Sequence, residues 1–155
     1  MGALLLRGYS RLHRGAVVKV GLTSGVFDLI HYGHLVYLER CKAQCGKLIV
    51  GVDSDRMVKE AKGPLRPLIP ELERLQMVQS LAHVDAAFMI NCLEDLDYMV
   101  RAFQVNLVFK HEGFLDIDNV IGVRGTQAEL CIIPDVPGLR STSSIIEDIL
   151  EKHRG

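Results

Sequence analysis

Apolar positions along the chain follow two alternating patterns. Val17, Val18, Val20 and Leu22 form a short strand-like run, and Leu35, Leu38, Cys41 and Cys45 then recur every three or four residues, the spacing of a buried helix face. Four further runs read as strands: residues 47–52 (KLIVGV), 84–90 (VDAAFMI), 106–110 (NLVFK) and 129–133 (ELCII). Helical spacing fills the intervals at 53–60, 70–82, 93–103, 118–125 and 142–152. Strands alternating with helices predict a Rossmann-like, three-layer α/β/α sandwich with a five-stranded parallel sheet and right-handed crossovers. Such sheets bind ligands outside the carboxyl ends of the strands, where the strand order reverses.

Composition narrows this further. A chain of 155 residues, 48% hydrophobic, fills one core. The expected organisation is an N-terminal extension over residues 1–16 and one domain over 17–155. A net charge of −1 argues against a general nucleic-acid or anionic-membrane binder, so cations that matter must cluster in a cleft. The leading MGALLLRGYSRLHRG does not read as a secretory segment, and four scattered cysteines fit reduced thiols in a cytoplasm. Cys41 and Cys45 lie four apart without partners at zinc-site spacing, which favours apolar packing over metal ligation.

The candidate chemistry begins where the first strand ends. In residues 23–34 (TSGVFDLIHYGH) His31 and His34 stand one helical turn apart at the start of a predicted helix. There the free backbone N–H groups and the positive end of the helix dipole attract a polyanion, to which imidazoles add donors. Gly33 between them lets a large ligand approach the backbone. Arg140, Ser141, Thr142 and Ser143 precede another helical pattern and offer a second set of hydroxyls and amides, although such clusters also serve simply as N-caps. Lys59, Lys62 and Arg66 lie on a loop rich in glycine and proline that could fold over an anionic substrate.

The pattern G-x-F-D-x-x-H-x-G-H, from Gly25 to His34, resembles the signature of the cytidylyltransferase-like nucleotidyltransferases. The similarity continues through residues 48–55 (LIVGVDSD), 58–67 (VKEAKGPLRP), Glu73, Arg74, Val84 and Asp85, and returns at Ser141 to Ile146. The run KGPLRP resembles the adenylyltransferase domain of bacterial ADP-heptose synthase. Related patterns occur in glycerol-3-phosphate and ethanolamine-phosphate cytidylyltransferases and in archaeal-type FAD synthases.

This resemblance implies a Mg²⁺-dependent nucleotidyltransferase acting on a nucleoside triphosphate and a small phosphorylated sugar or polyol, with ATP favoured over CTP and pyrophosphate released. Its implied catalytic residues are His31, His34, Lys62 and Arg74. Ser24, Gly25, Val26, Phe27, Asp28, Gly33, Lys110, Arg140, Ser141, Thr142 and Ser143 would contact nucleotide, and Lys59, Arg66 and Glu112 the acceptor. Asp28 would help to hold Mg²⁺, directly or through water, or would orient the loop. A homodimer is expected on resemblance alone. One segment departs from the pattern: Lys110, His111, Glu112, Gly113 and Phe114 stand where heptose adenylyltransferases carry K-G-G-D-Y, which leaves the acceptor open. A nucleotide-binding regulatory protein without turnover is the reading of another class.

Overall fold

The computed structural model describes residues 18–114 and 120–154. Its elements run β1 (Val20–Gly25), α1 (Tyr32–Lys42), β2 (Lys47–Asp53), α2 (Asp55–Lys62), α3 (Glu71–Gln79), β3 (Ala86–Ile90), α4 (Leu93–Ala102), β4 (Leu107–His111), β5 (Glu129–Ile133) and α5 (Thr142–Lys152). All strands pair in parallel, in the order β3-β2-β1-β4-β5. The chain builds one half of the sheet outward from β1 and then returns to β1's other edge with β4. The switch point therefore lies between β1 and β4, and the cleft opens at their carboxyl ends.

Central strands are apolar on both faces because helices cover both. On one face Leu38 and Cys41 of α1 and Val78 of α3 pack with Val50, Val52 and Phe109. On the other, Leu96 and Val100 of α4 pack with Leu22, Val105 and Val108. Fully burying each such side chain contributes about 1.5–3 kcal/mol, so both faces of the sheet that carries the site are held by packed helices. Thr23, buried in β1, is satisfied by the Tyr37 hydroxyl at 2.8 Å and by donating to the Phe109 carbonyl at 3.2 Å.

Several sequence boundaries move. The first strand lies at Val20–Gly25, later than expected, because its pairing with β2 continues through Gly25↔Val52. The second helix starts at Asp55 rather than 53, since Ser54 is its N-cap and accepts from the Met57 amide at 3.4 Å. The expected helix over 118–125 falls partly outside the described residues. Residues 121–125 form turns instead, with Gly122 and Gly125 at φ +87° and +73°, values that end a right-handed helix. The expected extension over 1–16 lies outside the described residues. No helix among the described residues is long and apolar enough to cross a membrane. All four cysteines are free thiols, and burial pushes the Cys41 thiol up to about 12, as expected of a packing residue.

Candidate active site

A cavity of about 850 Å³ opens at the carboxyl ends of the central strands and brings together all but three of the residues singled out from sequence. Its floor is the turn from β1 into α1. Phe27 and Leu29 hold positive φ values of 52° and 46°, a left-handed conformation that costs about 1–3 kcal/mol per non-glycine residue. Two such residues so close together reverse the chain sharply enough to set both histidines at the helix start.

His31 is the N-cap of α1, and His34 lies in the first turn. The rings stack with centroids 3.9 Å apart, and Phe27 backs His34 at 5.4 Å. The His31 amide donates to His34 Nδ1 at 3.3 Å. That bond makes Nδ1 an acceptor, so neutral His34 carries its proton on Nε2 and can donate it. Burial pulls the His34 pKa down to about 4, with the neighbouring His31 adding to the shift and Asp28 opposing it. Burial also lowers His31. His31 Nδ1 is buried and has no hydrogen-bond partner among the described residues, an unsatisfied atom of the kind that a bound ligand would complete. Gly33 explains the tight fit. A Cβ there would lie 2.9 Å from the His31 ring, closer than real Cβ contacts come, and 3.0 Å from the Arg140 carbonyl oxygen, tighter than most of them.

The second helix start adjoins the first at the same cavity. Ser141 caps α5 by accepting from the Ser144 amide at 3.1 Å. The amides of Thr142 and Ser143, which have no preceding helical turn to bond to, are left at the opening. Thr142 Oγ1 donates to the Asp28 carbonyl at 2.8 Å, tying α5 to the histidine turn. Arg140 borders the cavity and is paired with Asp148.

Lys110, on β4, enters from the sheet. It donates to Ser24 Oγ at 3.2 Å and lies 4.8 Å from the centre of the Phe114 ring. Its burial lowers its pKa, opposed by Asp53. Lys62, at the end of α2 and not on the loop as expected, and Arg66, on the loop after it, also border the cavity, as do Ser24, Gly25 and Val26.

One assignment narrows and one changes. Of the two roles expected for Asp28, the structure shows the one that orients the loop: its buried carboxylate accepts from Leu68 N at 2.9 Å, Ile69 N at 3.0 Å and Arg66 Nε at 3.1 Å. Burial alone would raise its pKa, but those two amides and Arg66 outweigh it and hold the carboxyl below its ordinary value. Asp28 thus fixes the glycine- and proline-rich loop over the site. Arg74 is not placed against phosphates. It is 1% exposed and its guanidinium is committed to the Ile69, Val26 and Asp53 carbonyls at 2.9, 2.5 and 2.8 Å and to Asp55 Oδ1 at 2.8 Å. A planar fork of donors suits that role, since it ties three cleft-forming segments together at once.

Lys59 and Glu112 are exposed and lie outside the cavity lining; Glu112 turns away to accept from the Asp135 amide at 3.1 Å. Sequence reading missed Asp53, Arg40 and Tyr37. Asp53, the last residue of β2, borders the cavity, and its position at a strand's carboxyl end was the available signal. Arg40 donates to the Pro134 carbonyl at 2.8 Å and closes the far wall.

Comparison with known proteins identifies relatives of the chain. Residues 22–128 match the family described as cytidylyltransferase-like. Among curated proteins, the bifunctional protein HldE of Hyphomonas neptunium is 35% identical over 136 residues, covering 86% of this chain and 27% of the relative. HldE of Methylobacillus flagellatus is 33% identical over 152 residues, covering 96% and 30%. The chain thus spans about three-tenths of the length of the curated relatives it matches. Among solved structures, a lipopolysaccharide core biosynthesis protein from Thermoplasma volcanium aligns with a TM-score of 0.66 at 23% identity, covering 77% of this chain and 99% of that one. Pantothenate synthetase from Thermus thermophilus aligns with a TM-score of 0.55 at 16% identity, covering 82% and 61%. At these identities the two structures share the fold.

Proposed function

The chain belongs to the cytidylyltransferase-like family and is a nucleotidyltransferase related to HldE; from that premise we propose that it transfers the adenylyl group of ATP to a small phosphorylated sugar or polyol, releasing pyrophosphate. The observation that carries this reading is the meeting of two helix starts at one cavity, with His31 and His34 on one and Ser141 to Ser143 on the other. That arrangement suits a chain of phosphates, which needs donors on two sides.

In this reaction an oxygen of the acceptor phosphate attacks the α-phosphorus in line, and the bond to the bridging oxygen of pyrophosphate breaks. The attacking oxygen is already an anion, so the protein's work is positioning and stabilising charge rather than removing a proton. His34 Nε2–H and the His31 ring donate to oxygens on which charge grows, and neutral imidazoles do so without a change of protonation. The α5 amides and the Ser141 to Ser143 hydroxyls hold the leaving pyrophosphate. Lys62 and Arg66 bring the acceptor phosphate against the α-phosphorus despite its like charge.

A magnesium ion would arrive on the triphosphate. Among the described residues no group of three His, Cys, Asp or Glu side chains forms a cage, and Mg²⁺ characteristically keeps waters and phosphate oxygens. When bound, it would neutralise charge on the phosphates. The preference for ATP rests on the likeness of residues 62–67 (KGPLRP) to adenylyl-transferring relatives. Pyrophosphate release with each of the four nucleoside triphosphates and a panel of acceptors (heptose 1-phosphate, glycerol 3-phosphate, phosphoethanolamine and FMN) tests the reading. ATP with a sugar or polyol phosphate is the expected pairing. CTP as the productive nucleotide would overturn the choice of base, and nucleotide binding without turnover would favour the regulatory alternative.

A further inference from the structure

We propose that Asp53 reads the hydroxyl groups of the acceptor, so that this cleft takes a phosphorylated polyol and discriminates against a phosphorylated amino alcohol. The inference rests on the reading of the cavity as a nucleotidyl-transfer site and adds the chemistry of its second substrate.

The placement of Asp53 carries the argument. If the phosphates lie between the starts of α1 and α5, the β5 side of the cleft is taken by nucleotide. The β2 side is left for the acceptor, and Asp53 ends β2 there. Met57, Leu93 and Leu96 form an apolar wall on that side, and Lys62 stands beside it as a cation for the acceptor's phosphate. Within this half Asp53 is the available carboxylate, because Asp28 is consumed by the loop.

Its main-chain carbonyl accepts from Arg74, but its carboxylate makes no hydrogen bond or direct ion pair with the described residues. A half-buried carboxylate left in that condition lacks acceptor contacts that water or a ligand must supply. Burial raises its pKa, while Lys110, Arg74 and Lys62 oppose the rise. Those same cations decide what ligand suits it. An ammonium group approaching Asp53 would also approach Lys110 and Lys62, whereas a hydroxyl donates to the carboxylate without repulsion. A hydrogen bond from a neutral donor to a desolvated carboxylate is strong enough to discriminate, and the loss of one hydroxyl leaves the charge unpaired.

The test is calorimetric binding of a sugar 1-phosphate, its monodeoxy analogues, glycerol 3-phosphate and phosphoethanolamine to the full chain with Mg²⁺ and a non-hydrolysable ATP analogue. Transfer rates are measured alongside, in wild type and Asp53→Asn. Wild type should bind the sugar phosphate about 10- to 100-fold more tightly than phosphoethanolamine and than the deoxy analogue lacking the recognised hydroxyl. In Asp53→Asn both preferences should shrink towards unity while affinity for the ATP analogue is kept. Equal wild-type binding of phosphoethanolamine would overturn the proposal without any variant. So would retention of the preferences in Asp53→Asn, or a change in Mg²⁺ dependence and nucleotide affinity in their place, which would make Asp53 a metal ligand. The two readings fail separately: an Asp53-dependent preference without transfer contradicts the reaction, and transfer without that preference contradicts the role of Asp53.

Discussion

The His31 amide donates to His34 Nδ1 at 3.3 Å, and this one bond sets which nitrogen of His34 faces the ligand with a proton. Because His34 is buried and its pKa lies at about 4, the ring is neutral at physiological pH. The sign for stability follows. Unfolded His34 takes up a proton below about pH 6.5 and the folded ring does not, so stability falls as pH drops from there towards 4 and then levels off. The loss is on the order of 3 kcal/mol for this group. Urea midpoints between pH 7 and 4.5 should decline in wild type and decline less in His34→Gln.

Both histidines are expected to act on rate more than on fold. His31→Ala and His34→Ala should each lower turnover by two orders of magnitude or more, as expected when a donor to a charge-bearing oxygen is lost at ~3 kcal/mol. Nucleotide-dependent pyrophosphate release measures this. His31→Ala also removes the buried, unpartnered Nδ1, so its melting temperature should not fall sharply.

Arg74 should behave in the opposite way. Arg74→Ala strands the Val26, Ile69 and Asp53 carbonyls and breaks the pair with Asp55, at a cost of about 3–5 kcal/mol. Arg74→Lys should restore little, since an ammonium cannot reproduce the fork. Denaturant unfolding distinguishes this from a phosphate-contacting role, which would leave stability intact and impair only nucleotide affinity.

Asp28→Asn exchanges a carboxylate with three donors for an amide that can accept from fewer. The loop at 66–69 should loosen, and hydrogen exchange at the Leu68 and Ile69 amides should accelerate by about tenfold or more. The Asp28 pKa lies below its unfolded value, so the carboxylate's support is present at neutral pH and is lost as pH falls through the folded value. Unchanged exchange would mean that other contacts hold the loop.

Sequence pattern revealed the sheet and the histidine turn because both depend on local periodicity and on residues close in the chain. It placed His31 and His34 at a helix start and Ser141 to Ser143 at another. It put Arg74 near the phosphates and left Asp28 open between Mg²⁺ and the loop because their partners lie far away: Val26 is 48 residues from Arg74, and Ile69 is 41 from Asp28. A conspicuous arginine or aspartate near a motif has the same appearance whether it faces ligand or holds the loop that does. Asp53 was missed for a related reason, since only the packing of β2 beside β1 brings it to the cleft. The turns at 121–125 depend on Gly122 and Gly125, which apolar spacing alone disguised as helix.

The most direct test of the central claim is the fate of the α-phosphate. With ATP labelled there and a sugar or polyol phosphate as acceptor, the label should appear in a nucleotide–sugar or nucleotide–polyol conjugate, with unlabelled pyrophosphate released and the reaction strongly reduced in His34→Ala. Label remaining in ADP or AMP without a conjugate, or γ-label passing to the acceptor, would contradict nucleotidyl transfer at this site.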